Sequence, residues 1–212
     1  MAEVTTSLQI NFSLCQTNNC RNILLRETTG EYEATTNPSG YSDPESATNP
    51  DSANITRTVI DITVPNGTTY TFDSDELVLG TIPFPDPTGE EEMVIEETDL
   101  GKSSEEKLDD GEYTLTVTMY GTINADADTF IETVTKKYIL TCQTRCCVDG
   151  LFHDVAQSDC GDCKKPKLDK ALEAEALLKQ VEFASSCGKI NMAKKFLAKA
   201  QWICNTSNCL NC

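Results

Sequence analysis

Cysteine is the residue type with most chemistry available in this 212-residue chain: there are eleven, and nine of them fall between Cys142 and Cys212. Three residues separate Cys142 from Cys146, and two separate Cys160 from Cys163. Thiolates paired by short spacers and separated by a helical segment can close a tetrahedral zinc site. Cys142, Cys146, Cys160 and Cys163 are therefore the candidate metal ligands, with Cys147 as a rival for Cys146. A further close pair, Cys209 and Cys212, ends the sequence. The first spacer is longer than a zinc knuckle uses, and no second knuckle with a Gly turn follows. Two other fates stay open for the same residues, disulfides formed outside a cell and buried reduced thiols. Eleven is odd, so at least one cysteine is unpaired within the chain.

No catalytic constellation accompanies the thiols, and the expectation is that the chain is not an enzyme. His153 is the single histidine, and every Ser/His/Asp or Cys/His mechanism would have to use it, with no nucleophile arranged beside it in sequence. The glycines form neither a phosphate-binding loop nor a dinucleotide fingerprint. Asn124, Asp126 and Asp128 have the alternation that opens a calcium loop, but the Gly turn and the closing Glu are missing. Carboxylate runs such as Glu90 to Glu92 read as solvated loop.

The elements that would position these residues divide near Cys142. Residues 1–141 carry 7 Lys+Arg against 26 Asp+Glu, whereas residues 142–212 carry 10 against 8. The acidic part, 1–141, is rich in alternating apolar residues and reads as a β domain. Leu8 to Leu14, Arg21 to Glu27, Thr56 to Val64, Thr69 to Phe72, Leu77 to Leu79, Val94 to Glu96, Thr114 to Tyr120 and Phe130 to Thr141 are the expected strands. Leu115, Val117 and Met119 should point inward, as should Ile131, Val134, Tyr138 and Leu140. Pro65-Asn66-Gly67 predicts a hairpin turn, and the stretch from Gly30 to Asn54 reads as a long loop. Tyr113, behind Asp109-Asp110-Gly111, resembles the tyrosine corner of immunoglobulin-like sandwiches. The expected fold is thus mainly β, an antiparallel immunoglobulin-like β-sandwich followed by a Cys-rich helical hairpin over 142–212.

In that second part a short helix is expected from Cys147 to Val155. A second runs from Pro166 to about Cys187, with Leu168, Ala171, Leu172, Leu178 and Val181 as its apolar stripe. Gly188 stops it. A third helix carries its stripe at Ile190, Ala193, Phe196, Leu197, Ala200, Ile203 and Cys204, and the short connection predicts an antiparallel pair. Trp202 lies off this stripe, so it is the expected interface residue, the alternative being that it closes the open end of the hairpin internally. The lysines of this part read as a solvated face, and no nucleic-acid contact is expected from so acidic a chain. Met1 to Ile10 lacks the basic and apolar regions of a secretory signal, and no apolar run reaches the ~20 residues of a membrane span. The expectation is a chain made in a reducing cytoplasm, where disulfides are rare unless it later leaves the cell by another route.

The run from Cys15 to Tyr41, with Thr28-Thr29-Gly30-Glu31-Tyr32 and Asn37-Pro38-Ser39-Gly40, is similar to the opening of structural proteins of tailed bacteriophages. Cys146-Cys147-Val148-Asp149, Lys170-Ala171-Leu172 and Cys187-Gly188 resemble the end of the same proteins. The likeness is to virion tail proteins of crAss-like phages, whose sandwich domains with helical appendages stack as rings. It implies a tail ring or tail-barrel subunit that is assembled in the host cytoplasm and resides in the virion tail, with copies of itself and neighbouring tail proteins as partners. The alternative is a ligand-binding or adhesin-like sandwich whose loop from Gly30 to Asn54 touches its ligand.

Overall fold

The computed structural model describes residues 3–17, 20–37, 54–73, 92–123, 128–157 and 161–207. In chain order these residues form strands β1 (Glu3–Gln16), β2 (Ile23–Asn37), β3 (Asn54–Thr63), β4 (Thr69–Asp73), β5 (Glu92–Ile95), β6 (Gly111–Ile123) and β7 (Asp128–Leu140). Helices α1 (Cys142–Gln157), α2 (Gly161–Ser186) and α3 (Ile190–Ser207) follow. All pairings are antiparallel. One sheet has the order β1-β2-β5 and the other β4-β3-β6-β7.

The two sheets share a core because their strands alternate. Ile23, Leu25 and Ile95 from the first sheet lie in one cluster with Ile60, Ile62, Leu115, Val117 and Met119 from the second. The intervening residues turn outward and pair across strands. Thr116 meets Thr135, and Thr118 meets Thr133, at 3.2 Å between hydroxyls, while Thr63 meets Thr69 at 2.8 Å. Such cross-strand pairs add to the stability of a sheet beyond burial. The β3–β4 hairpin closes as Asn66-Gly67 predicts, with Gly67 at φ 90° and the Thr68 amide donating to Asn66 Oδ1 at 2.8 Å.

Several expectations change. β2 continues to Asn37 where the sequence reads as loop, because its backbone pairs with β1 as far as Glu3 and ladder pairing overrides the local Gly and Thr content. Residues 38–53 lie outside the described residues, as do Leu77 to Leu79, Asn124 and Asp126. Ile131 is 65 % exposed. It pairs with Tyr120, whereas Val134 pairs with inward-facing Val117, and a strand of period two cannot turn both residues to one side. Val134, Tyr138 and Leu140 do pack on the core.

α1 begins at Cys142, about one turn ahead of the predicted start, and α2 begins at Gly161, so that Pro166 lies inside it. α2 ends at a left-handed Gly188, φ +69°. The amide of Gly188 donates to Ser185 O at 2.9 Å and that of Lys189 to Ala184 O at 2.8 Å. This double bond pattern satisfies the last carbonyls of a helix and needs the positive φ that glycine adopts freely. α3 then packs back on α2, burying Ala193, Leu197, Ala200, Ile203 and Cys204 against Ala174, Leu178, Val181 and Ala184. On α2 Ala171, Leu178 and Val181 are buried as predicted, whereas Leu172 is exposed and Leu177 and Ala184 join the buried face. Among the described residues, no helix is long and apolar enough to cross a membrane.

Candidate functional site: the joint between sheets and helices

Asp110 stands in the turn before β6, and its carboxylate meets the first turn of α1. The Gln143 amide donates to its Oδ1 at 2.7 Å and the Thr144 amide to its Oδ2 at 3.0 Å. The Thr144 hydroxyl donates to the same Oδ2, and Gln201 of α3 reaches it through Nε2 at 3.2 Å. The first amides of a helix have no intrahelical acceptor and carry its positive end. A carboxylate from another element therefore caps α1 and ties α3 to the same point. The neighbouring Asp109 accepts from Gln143 Nε2 at 2.9 Å, and its backbone carbonyl accepts from the Tyr113 hydroxyl at 3.0 Å. That last bond is the one expected of Tyr113. Burial pushes the Tyr113 hydroxyl well above the usual phenol range.

β1 and β7 join the same region. Gln16 Oε1 accepts from the Thr141 amide at 2.8 Å and from the Cys142 thiol at 3.4 Å. On the other side the Ile139 amide donates to Ser185 Oγ at 2.9 Å, and the Ile139 side chain is buried among Val181, Ala184, Ala193 and Leu197. The helices thus cover the outward side of β7 at its end. Glu112 of β6 bridges Lys137 at 2.9 Å and Lys194 at 2.6 Å. These two ammonium groups hold its carboxyl below the usual carboxylate range, Lys137 contributing first. Between the end of α2 and β7 lies a cleft of about 740 Å³ lined by Leu14, Lys136, Tyr138, Leu140, Glu182 and Ile190, among others.

The thiols of α1 face two ways. Cys142 and Cys146, four apart and so on one helix face, meet Cys20, which the turn between β1 and β2 presents to them. Cys20 is a non-glycine residue at φ 60°, held by its amide to Thr17 O at 2.9 Å and by its carbonyl to the Leu108 amide at 3.1 Å. Hydrogen bonds from the Cys142 and Cys146 thiols lower the Cys20 pKa to about 6. The same contact with Cys20 drives Cys142 up, while burial raises Cys146. Lys107 Nζ donates to Cys146 Sγ. Cys147 turns the other way, toward Cys204 of α3, whose thiol is pushed up by burial and then by Cys147.

Of the four candidate zinc ligands, Cys142 and Cys146 come together. Cys160 lies outside the described residues, and Cys163 is in the first turn of α2. Among the described residues no group of three or more His, Cys, Asp or Glu is placed to hold a metal ion. Cys20 was not singled out by sequence, because its partners are more than a hundred residues away. Its isolation from the other cysteine cluster, apart from Cys15, was the only signal. His153 is exposed on α1. Trp202 is 59 % exposed, off the buried stripe of α3 as its position predicts, with Lys170 Nζ 5.9 Å from its ring centroid.

The chain was compared with family models, curated proteins and solved structures, and it matches none of them.

Proposed function

We propose that the chain is a structural subunit of a tailed-bacteriophage virion, a tail ring or tail-barrel subunit of the crAss-like kind. In this reading residues 1–141 are an immunoglobulin-like β-sandwich and residues 142–212 a Cys-rich helical hairpin. The observation that supports it best is the pair of apolar patches on the helices. Phe183 and Met192, 68 % and 48 % exposed, line a groove of about 340 Å³ with Phe196 beside the α2–α3 turn. Trp202 lies thirteen residues beyond Lys189, about 20 Å along the helix. Two unlike patches at separate places on one subunit suit a heterologous contact, which closes into a ring when the rotation between copies allows. The charge distribution fits the same arrangement. The acidic 1–141 parts repel one another, and the near-neutral helices are where copies can approach.

Such a subunit takes copies of itself and neighbouring tail proteins as partners, works in the virion tail after assembly in the host cytoplasm, and needs neither nucleic acid, membrane, zinc nor catalysis for its role. Light scattering on the size-fractionated full chain tests the self-contact. Wild type should form a discrete oligomer. Trp202→Ala should weaken it by roughly 30-fold, the equivalent of ~2 kcal/mol for a central aromatic anchor, with an unchanged circular dichroism spectrum. An unchanged oligomer distribution overturns the interface. The 740 Å³ cleft beside β7 favours the second reading, a ligand-binding or adhesin-like module, and a wild-type monomer at all concentrations would select it.

A further inference from the structure

The meeting of Cys20, Cys142 and Cys146 places three thiols from opposite ends of the chain beside an ammonium group, and they differ sharply in access. Cys20 is 1 % exposed and Cys142 fully buried, whereas Cys146 is partly exposed and carries Lys107, itself exposed, on its sulfur. An oxidant can therefore reach Cys146 alone of the three. We infer that this cluster is a peroxide-sensitive modification site at which Cys146 is oxidised and Cys20 resolves it, forming a Cys20–Cys146 disulfide that staples the β1–β2 turn to α1.

The chemistry balances with hydrogen peroxide as the oxidant. The Cys146 thiol gives its proton to solvent on its exposed side, leaving a thiolate beside the Lys107 ammonium. This thiolate attacks a peroxide oxygen, so that the S–O bond forms, the O–O bond breaks and the departing hydroxide is protonated to water. Cys20 then loses its proton and attacks the Cys146 sulfur. The S–S bond forms and the S–O bond breaks, releasing a second water. Two thiols are oxidised by one electron each, and the peroxide takes both electrons. Cys142 is the spectator. Its single thiol proton is shared between Cys20 and Gln16 Oε1, and the residue is fully buried, so it stays protonated and out of an oxidant's reach. Access to solvent, a neighbouring cation and a resolving partner are general marks of an oxidisable cysteine.

The test uses the full chain, reduced and freed of reductant, then given one equivalent of hydrogen peroxide and alkylated before peptide mapping. A Cys20–Cys146 linkage should appear first. It should be absent from Cys20→Ser and from Cys146→Ala, the second variant guarding against loss of the fold at the buried position, and it should persist in Cys142→Ser. Lys107→Met should slow linkage several-fold with the rate's pH dependence moved upward, and Lys107→Arg should restore it. Overoxidised Cys146 without linkage would overturn the inference. So would a Cys20–Cys142 product, or a stoichiometric zinc ion that protects Cys20 and Cys146 from alkylation.

Discussion

Asp110 joins two helices to the sheets with one carboxylate, which accepts from Gln143 and Thr144 of α1 and from Gln201 of α3. Removing it leaves the first amides of α1 without their acceptor and Gln201 without its partner. Asp110→Ala should cost about 2 kcal/mol in urea unfolding, and Asp110→Asn less, since one acceptor oxygen survives. Glu112 gives the same region a pH dependence. Its folded pKa is depressed, so its contribution is present above the unfolded carboxyl value of about 4.3 and is lost as the pH falls through the lower folded value. Glu112→Gln should therefore destabilise at neutral pH, with the gap from wild type closing on acidification below about pH 4. A gap that stays constant down to that range would show the ion pairs contribute nothing.

At the scale of elements, Gly188 carries the return of α3 onto α2. Nothing lies within 4 Å of a Cβ built there, so Gly188→Ala isolates the backbone term and should cost about 1 kcal/mol by thermal unfolding. This turn was legible in the sequence, as were Ala193, Leu197, Ala200, Ile203 and Cys204 of the buried stripe of α3, because a polar face interrupts it at every turn. β6 was legible for the same reason, with Thr alternating against Leu115, Val117 and Met119. α2 was legible in part: Ala171, Leu178 and Val181 are buried as the spacing predicts, but Ala and Leu occur on several of its faces, and only the packing of the neighbouring helices covers Leu177 and leaves Leu172 exposed. The extent of β2 and the outward turn of Ile131 depended on registers set by β1 and β6, which no local pattern contains. The cysteine meeting at Cys20 was hidden more deeply, since it depends on how two distant segments pack.

For the whole molecule, the division of charge and composition at Cys142 coincides with a densely bonded seam. The side chain of Ile139 belongs to the helix cluster, and Cys142 belongs to the cluster shared by the sheets. Limited proteolysis of wild type should accordingly release little of residues 142–212 under native conditions, whereas Asp110→Ala should release an acidic β fragment early. Equal cleavage in both would mean that the apolar contacts alone hold the parts together. A Cys20–Cys146 crosslink closes a loop longer than a hundred residues, which in the chain-entropy account stabilises by roughly 4–5 kcal/mol. Oxidised protein should then melt well above reduced protein.

The bond between Gln16 and Thr141 spans 125 residues, and that separation sets an order in time. At roughly 5–20 residues per second of synthesis, β1 waits on the order of ten seconds on the ribosome before the residue that completes its end exists. Until then the β1–β2 turn, with Cys20 inside it, is open to whatever else is in the compartment. The seam therefore closes in stages, the Gln16–Thr141 bond once β7 has been made and the Gln201–Asp110 bond only after α3 follows. A chaperone that shields this one turn during synthesis would be protecting the site where the two halves later meet.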